Sequence, residues 1–561
     1  MLMDLMTTAG ENLTGTPWTV YPRPQMKRDS YINLNGGWDF TVDCEKQGQI
    51  RVPFCPESKL SGIGKHFDEG SLLCYNRSFT LPEGFNQGRV LLHIGAADQR
   101  ADVFLNNKPV GWHKGGYEAF TLDITEALQP GENMLQICCF DDLTDQSYPY
   151  GKQVMKRGGM WYTPVSGIWQ SVWLESVPET YIQKLNIENR GYSVTVSIEP
   201  ALSGTVRVAV LGDYELVDGK VTITPENPNL WSPENPHLYD FTVEAGEDKI
   251  ESYFAVRSLE IKQIGAYKRL CLNGEPYFFH GLLDQGYWPD GIFTPATPEC
   301  FADDILMMKK LGFNTLRKHI KVEPEEFYYQ CDKLGMIVWQ DMVNNSDYNF
   351  LRDTALPTVG IQTLPDKNLH KDEFSRKRFL EGMEATVKQL KNHPSICYWT
   401  IFNEAWGQFD SDNVFEQFKK LDDTRFVDST SGWFRQKKSD VDSRHVYFRK
   451  VNLKAGDKPL VLSEFGGKTY KTEGHVFNPD KSYGYGGCAT LEALNEALVK
   501  LYMDEILPCV KKGLSAAIYT QVSDVEDEIN GLVTYDRKVE KIDPEKMIPV
   551  AAALQAAIAE K

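Results

Sequence analysis

No cysteines are spaced as CxxC, no histidines as HExxH, and the ten histidines are dispersed along 561 residues. Zinc sites need such clustering, so no metal and no other cofactor is expected. The amino terminus has no basic start leading into an apolar stretch, and no apolar run approaches the roughly 18–20 residues of a bilayer-spanning helix. Neither export nor membrane insertion is indicated, and a cytoplasmic location is the expectation. Positive charge is also short. Sixty basic residues face 78 acidic ones, and the net charge of −18 opposes phosphate backbones and anionic lipid surfaces. Nucleic-acid and membrane partners are set aside in favour of a neutral or cationic small molecule. The eleven cysteines are an odd number and, apart from Cys138 and Cys139, scattered, the pattern of reduced thiols in a core. Nothing fixes the oligomeric state, and a homo-oligomer stays open.

What is present divides the chain into three. Length alone requires several cores. Residues 1–178 carry short alternating runs such as RVLLHIG, ADVFLNN and MLQICCF, broken about every ten residues by Asn, Gly and Pro, which predicts an antiparallel β-sandwich. Residues 179–264 repeat the pattern over a length suited to an immunoglobulin-like sandwich. From residue 265 to 561, apolar strands alternate with amphipathic helices. One helix is expected after Thr297, with Thr297 as its cap, Pro298 in the first turn and Gly312 at its end. The runs YFFHGL, FNTLRKH, MIVWQD, ICYWTIF, RFVDST, RHVYF, PLVLSE and LSAAIYT count as eight strands, the number that closes a (β/α)8 TIM barrel. The fold class is therefore multidomain β and α/β.

In a TIM barrel, chemistry sits at the carboxyl ends of the strands. Glu404 ends the fourth strand and Glu464 the seventh. Two carboxyl groups about 5 to 5.5 Å apart are the apparatus of glycoside hydrolysis with retention, one attacking the anomeric carbon and the other protonating the leaving oxygen. Asn403, beside Glu404, offers an amide to a sugar hydroxyl, and Gly466-Gly467 after Glu464 lets the backbone open to a ligand.

These residues resemble glycoside hydrolase family 2, the β-galactosidases, β-glucuronidases and related retaining exo-enzymes. HPSICYWTIFNEAWG is similar to the family's acid/base signature and LVLSEFGG to its nucleophile signature. The resemblance covers nearly the whole chain and implies a jelly-roll domain flanking the barrel mouth, Glu404 as general acid/base and Glu464 as nucleophile. It also implies that Arg317 orients the nucleophile, with His319 at the same mouth, and that Tyr447 occupies the place of a strand-six tyrosine facing the nucleophile.

The substrate pocket departs from the familiar members. The first strand runs into GLLDQGYWPDG, so Asp284, Gln285, Tyr287 and Trp288 are expected to supply polar and stacking contacts, with Gln340 and Gln521 replacing other residues at the third and eighth strand ends. The loop after the eighth strand contains no Asn-x-Lys, and its acidic run Asp524–Glu528 reads as a solvated loop. Segments 343–370 and 466–488 are expected to build subsites. The resulting expectation is hydrolysis of a terminal β-linked neutral sugar, β-galactosidase-like, acting on a carbohydrate substrate. The alternatives are an arabinoside, galactofuranoside, mannoside or glucuronide specificity, or a carbohydrate-binding protein without activity.

Overall fold

A computed structural model describes residues 2–358 and 364–560. The first region is a two-layer sandwich. A four-stranded sheet (Tyr31–Asn33, Val172–Val177, Arg89–Ile94, Phe120–Asp123) faces a six-stranded one running from Glu45–Val52 to Lys108–Lys114. Alternation explains the outer strands, where Trp38, Phe40 and Val103 point inward between more exposed neighbours, and Tyr75, Leu92 and Ile137 complete the core between the sheets. Cys74 and Cys138 lie opposite each other on two strands of the larger sheet and are disulfide-bonded. The expectation of eleven thiols is thus corrected to nine, because strand register joins two cysteines far apart in sequence.

The second region is a smaller sandwich of three- and four-stranded sheets around Ile187, Val196, Val206, Phe241 and Val243. Next comes a hairpin, Leu259–Ile264 with Tyr267–Leu272, so a boundary drawn at 264/265 cuts a paired unit. This hairpin closes the floor of the barrel, where Arg269 donates to the carbonyls of Val510 and Leu514.

The barrel strands are β1 Phe279–Asp284, β2 Thr315–Lys318, β3 Ile337–Asp341, β4 Ile396–Asn403, β5 Phe426–Ser431, β6 Asp442–Val446, β7 Leu460–Phe465 and β8 Leu514–Tyr519. Parallel ladders run unbroken in the order β5-β4-β3-β2-β1-β8-β7-β6. At the seam between β5 and β6, Asp440 bonds Val427 through both backbone and carboxylate, and Ser431, Ser443 and Ser463 share hydrogen bonds. Helix α1, Glu299–Lys310, begins at Pro298 without a side-chain cap; the Thr297 hydroxyl faces the Cys300 sulfur instead. Helix α2, Glu325–Leu334, ends as expected at Gly335, whose φ of 74° suits a residue without Cβ. Among the described residues no helix is long and apolar enough to cross a membrane.

The amino-terminal segment ties the regions together. Arg28 bonds Glu175 of the first sandwich at 3.0 Å and Asp248 of the second at 2.7 Å, and Arg23 adds a 2.9 Å contact to Glu175. Burial alone would raise the Glu175 carboxyl, but Arg23, His93 and Arg28 hold it well below the usual range. Removing one partner of such a buried network leaves uncompensated charge. Arg28→Met should therefore cost about 3–5 kcal/mol near neutral pH, read as a lower midpoint in urea unfolding. Because the folded value is depressed, Glu175's share is present above about pH 4.3 and fades as pH falls, so the gap between variant and wild type should narrow in acid.

Candidate active site

Each site residue is placed by the end of a barrel strand. Glu404 follows β4 with φ of 50°, and Ala405 continues at 65°. Left-handed backbone at two non-glycine residues costs roughly 1–3 kcal/mol each and persists only where surroundings enforce it; here the Glu404 amide is held by the Ser431 carbonyl at 2.9 Å. The turn lifts Glu404 toward the opening, with 23% of its side chain exposed against 5% for Glu464.

Arg317, at 0% exposure, is the hub beneath them. Its Nη1 donates to Glu464 Oε1 at 3.1 Å, its Nη2 to Asn403 Oδ1 at 2.8 Å, and its Nε to both oxygens of Asp341 at 2.9 and 3.1 Å. His319 Nδ1 lies 2.7 Å from Asp341, so histidine and arginine share one buried carboxylate. Tyr447 donates to Glu464 Oε2 at 2.5 Å and stacks on Tyr485 with ring centroids 4.1 Å apart. Burial would raise the Glu464 carboxyl, yet the nearby His445, Arg317 and His319 and the Tyr447 hydroxyl bring it down to about 2. The carboxylate is therefore ionised through the neutral range.

His445 was missed in the sequence reading. It lies two residues before Tyr447, on the same face of β6, and that alternation was the available signal. A register slip between Arg444 and His445 sets it opposite Glu464. An oxygen of Glu404, a ring nitrogen of His445 and an oxygen of Glu464 all lie within 4.8 Å of one another. Among the described residues this is the one trio spaced to hold a metal ion. The guanidinium already on Glu464 works against a cation there.

Other expected contacts are directed elsewhere. Asp284 is spent on Lys318 at 2.6 Å and on the Gly286 amide. Gln340, fully buried, accepts from Tyr328 and donates to the carbonyls of Lys321 and Asp341. Gln521 accepts from Gln285 at 2.8 Å, while its own Nε2 is buried without a partner among the described residues. Trp288 is no open platform either, since it is buried with the Arg537 guanidinium 4.0 Å over its ring. Tyr287 packs between Tyr162 and Phe293. The acidic run is not solvated, and that expectation is corrected. Asp524 pairs with Lys541 at 2.7 Å, Asp527 with Arg157 at 3.1 Å, and Glu528 accepts from Tyr162 and Asn530. These bonds clamp the jelly-roll loop around residues 157–163 onto the barrel mouth. Of segment 343–370, residues 359–363 lie outside the described residues; Tyr348 meets Trp161 and Trp406 edge-on. In segment 466–488, Tyr483 and Tyr485 pack beside Tyr447 on the Glu464 side.

Three family models match in succession: the sugar-binding domain of glycosyl hydrolases family 2 over residues 65–178, the domain named for the family itself over 179–257, and the family's TIM-barrel domain over 266–541. The chain belongs to glycosyl hydrolases family 2. A β-glucuronidase of Bacteroides fragilis is 24% identical to this family member over 506 residues, covering 81% of the chain and 68% of that protein. A β-galactosidase of Thermoanaerobacter pseudethanolicus is 23% identical over 505 residues, covering 81% of the chain and 63% of that protein. The chain thus spans about two thirds of the length of these relatives. The solved β-D-glucuronidase of Dictyoglomus thermophilum superposes with a TM-score of 0.73 at 19% identity, covering 96% of this chain and 99% of that one, a likeness of fold.

The depressed Glu464 carboxyl gives the family geometry a measurable sign. In Arg317→Met the burial penalty is no longer balanced, so the acidic limb of kcat/KM should move up by about 1–3 pH units. A pH–rate profile of the variant beside wild type checks this.

Proposed function

We propose that the protein hydrolyses a terminal β-linked sugar with net retention, Glu464 attacking and Glu404 serving as acid and then base. The observation that carries the reading is the pair of carboxylates within 4.8 Å, one pinned in its ionised form and the other raised toward the opening. Inverting pairs stand about 6.5–9.5 Å apart to admit water, a gap this site does not leave. Glu464 forms the ester to the anomeric carbon while the Glu404 proton passes to the departing oxygen. Ester formation removes the Glu464 charge, so Glu404 then accepts a proton from the attacking water. Asn403 assists in one orientation only. Its oxygen is occupied by Arg317, a pure donor, which leaves the NH2 to donate to a sugar hydroxyl.

The sugar in this proposal is neutral and the activity β-galactosidase-like. Support comes from the loop after β8, where Glu526, Asp527 and Glu528 are buried close to the mouth and would repel a uronate. One observation favours a uronide instead. Lys152 sits in the jelly-roll loop that bonds β3's exit, through Tyr150 and Gly151 to the Asn344 carbonyl. Among the described residues no carboxylate pairs with its ammonium, which lies 5.8 Å from the Trp161 ring. Relatives of both names are compatible with either sugar.

Aryl β-galactoside and aryl β-glucuronide should be compared in wild type and in Lys152→Met. The neutral reading predicts a higher kcat/KM for the galactoside and little change in the variant. A preference for the glucuronide that collapses in Lys152→Met replaces it with the uronide reading. On whichever glycoside is turned over, Glu464→Ala should be inactive. Glu404→Ala should lose roughly 10²- to 10⁴-fold, least where the leaving group is good.

A further inference from the structure

Glu404 has two carboxyl oxygens, and only one can deliver a proton to the leaving group. His445 settles which. Its side chain has no exposed surface, its Nδ1 is 2.7 Å from Glu404 Oε1, and the same nitrogen is 3.5 Å from Glu464 Oε2. On the other edge of the ring, Nε2 is 3.0 Å from the Ser431 hydroxyl and 3.5 Å from Arg317 Nη1. The groups facing the imidazole are therefore carboxylates at Nδ1, and a hydroxyl and a guanidinium at Nε2. Asp428 on β5 contributes a further charge acting on the ring, and Trp433 packs against it with centroids 5.6 Å apart.

A bare lone pair on Nδ1 would point at two carboxylates. A proton there is bonded instead. Ser431 directs its one hydroxyl proton to Ser463 Oγ at 2.9 Å and so meets Nε2 as an acceptor. A ring with Nδ1–H facing the carboxylates and Nε2–H facing Ser431 satisfies both edges. We propose that His445 is a positioning residue for the acid/base, whose Nδ1–H occupies Oε1 of Glu404 and so confines the transferable proton to Oε2. The same N–H lies between the two glutamates and screens their mutual repulsion, which lets them stand close enough for a double displacement. In the first half-reaction the Oε2–H bond breaks as the leaving oxygen gains the proton. In the second, Oε2 takes a proton from water, while the bond from Nδ1 to Oε1 is kept throughout.

This inference rests on the acid/base assignment of Glu404, and the two fail differently. The first measurement needs no substrate: ring-nitrogen NMR of the full chain with labelled histidine, the His445 signals identified by their loss in His445→Asn. A protonated Nδ1 is expected, and a bare Nδ1 overturns the proposal. The second compares two aryl β-glycosides of the same sugar, one with a dinitrophenolate and one with a phenolate leaving group. His445→Ala should lose about ten-fold or more in kcat with the phenyl glycoside and far less with the dinitrophenyl one. His445→Asn, whose amide N–H can stand near the Nδ1 position, should recover most of that loss. Equal losses on both substrates without rescue by asparagine indicate a merely structural role and overturn the proposal. Glu404→Ala is the parallel control. If it shows the leaving-group dependence and His445→Ala does not, only the positioning role falls; if Glu404→Ala shows none, the acid/base assignment falls first.

Discussion

The Arg317 guanidinium, wholly withdrawn from solvent, makes contact with Glu464, Asn403 and Asp341 at once. An unpaired cation in that position would be prohibitively costly, so the three acceptors and the arginine require one another. Its fixed fork also imposes geometry on the strands that carry them, β2, β3, β4 and β7. Through Asp341 it immobilises His319, and by occupying Asn403 Oδ1 it leaves that amide's NH2 facing away from the guanidinium. The ionised Glu464, the oriented Asn403 amide and the placement of His319 are consequences of one buried charge.

Around this hub the barrel mouth is completed by chain from outside the barrel. Buried acids after β8 take up Arg157, Tyr162 and the Thr163 amide of the jelly-roll loop. Trp161 of the same loop reaches Trp406, two residues beyond Glu404. The first sandwich is therefore part of the wall of the barrel mouth. Aromatic rings line both flanks: Tyr447, Tyr485 and Tyr483 beside Glu464, Trp406, Trp161 and Tyr348 beside Glu404.

Features that follow from local pattern were legible in the sequence. The apolar strands of the barrel, the stop of α2 at Gly335 and the position of both glutamates at strand ends needed only periodicity and neighbours. Tyr447 lies just past β6 and reaches across to Glu464 on the adjacent strand, the place the family resemblance implies. Features set by distant partners were not legible. The run Asp524–Glu528 looks solvated until Arg157 and Lys541 are brought to it by the fold. Trp288 looks like a stacking surface until Arg537 covers it, and Cys74 and Cys138 look unrelated until strand register opposes them. His445 belongs to neither group, since the His-Val-Tyr alternation is local but does not show that the ring meets both glutamates.

The central claim is that Glu464 becomes covalently bonded to the sugar. Treating the protein with fluorosugar inactivators of the candidate sugars, then mapping the modified peptide by mass spectrometry, tests it most directly. A glycosyl ester on Glu464, within LVLSEFGG, is the predicted result. An ester on a different carboxylate, or rapid turnover of the true substrate to an inverted product with no ester trapped, would contradict the account.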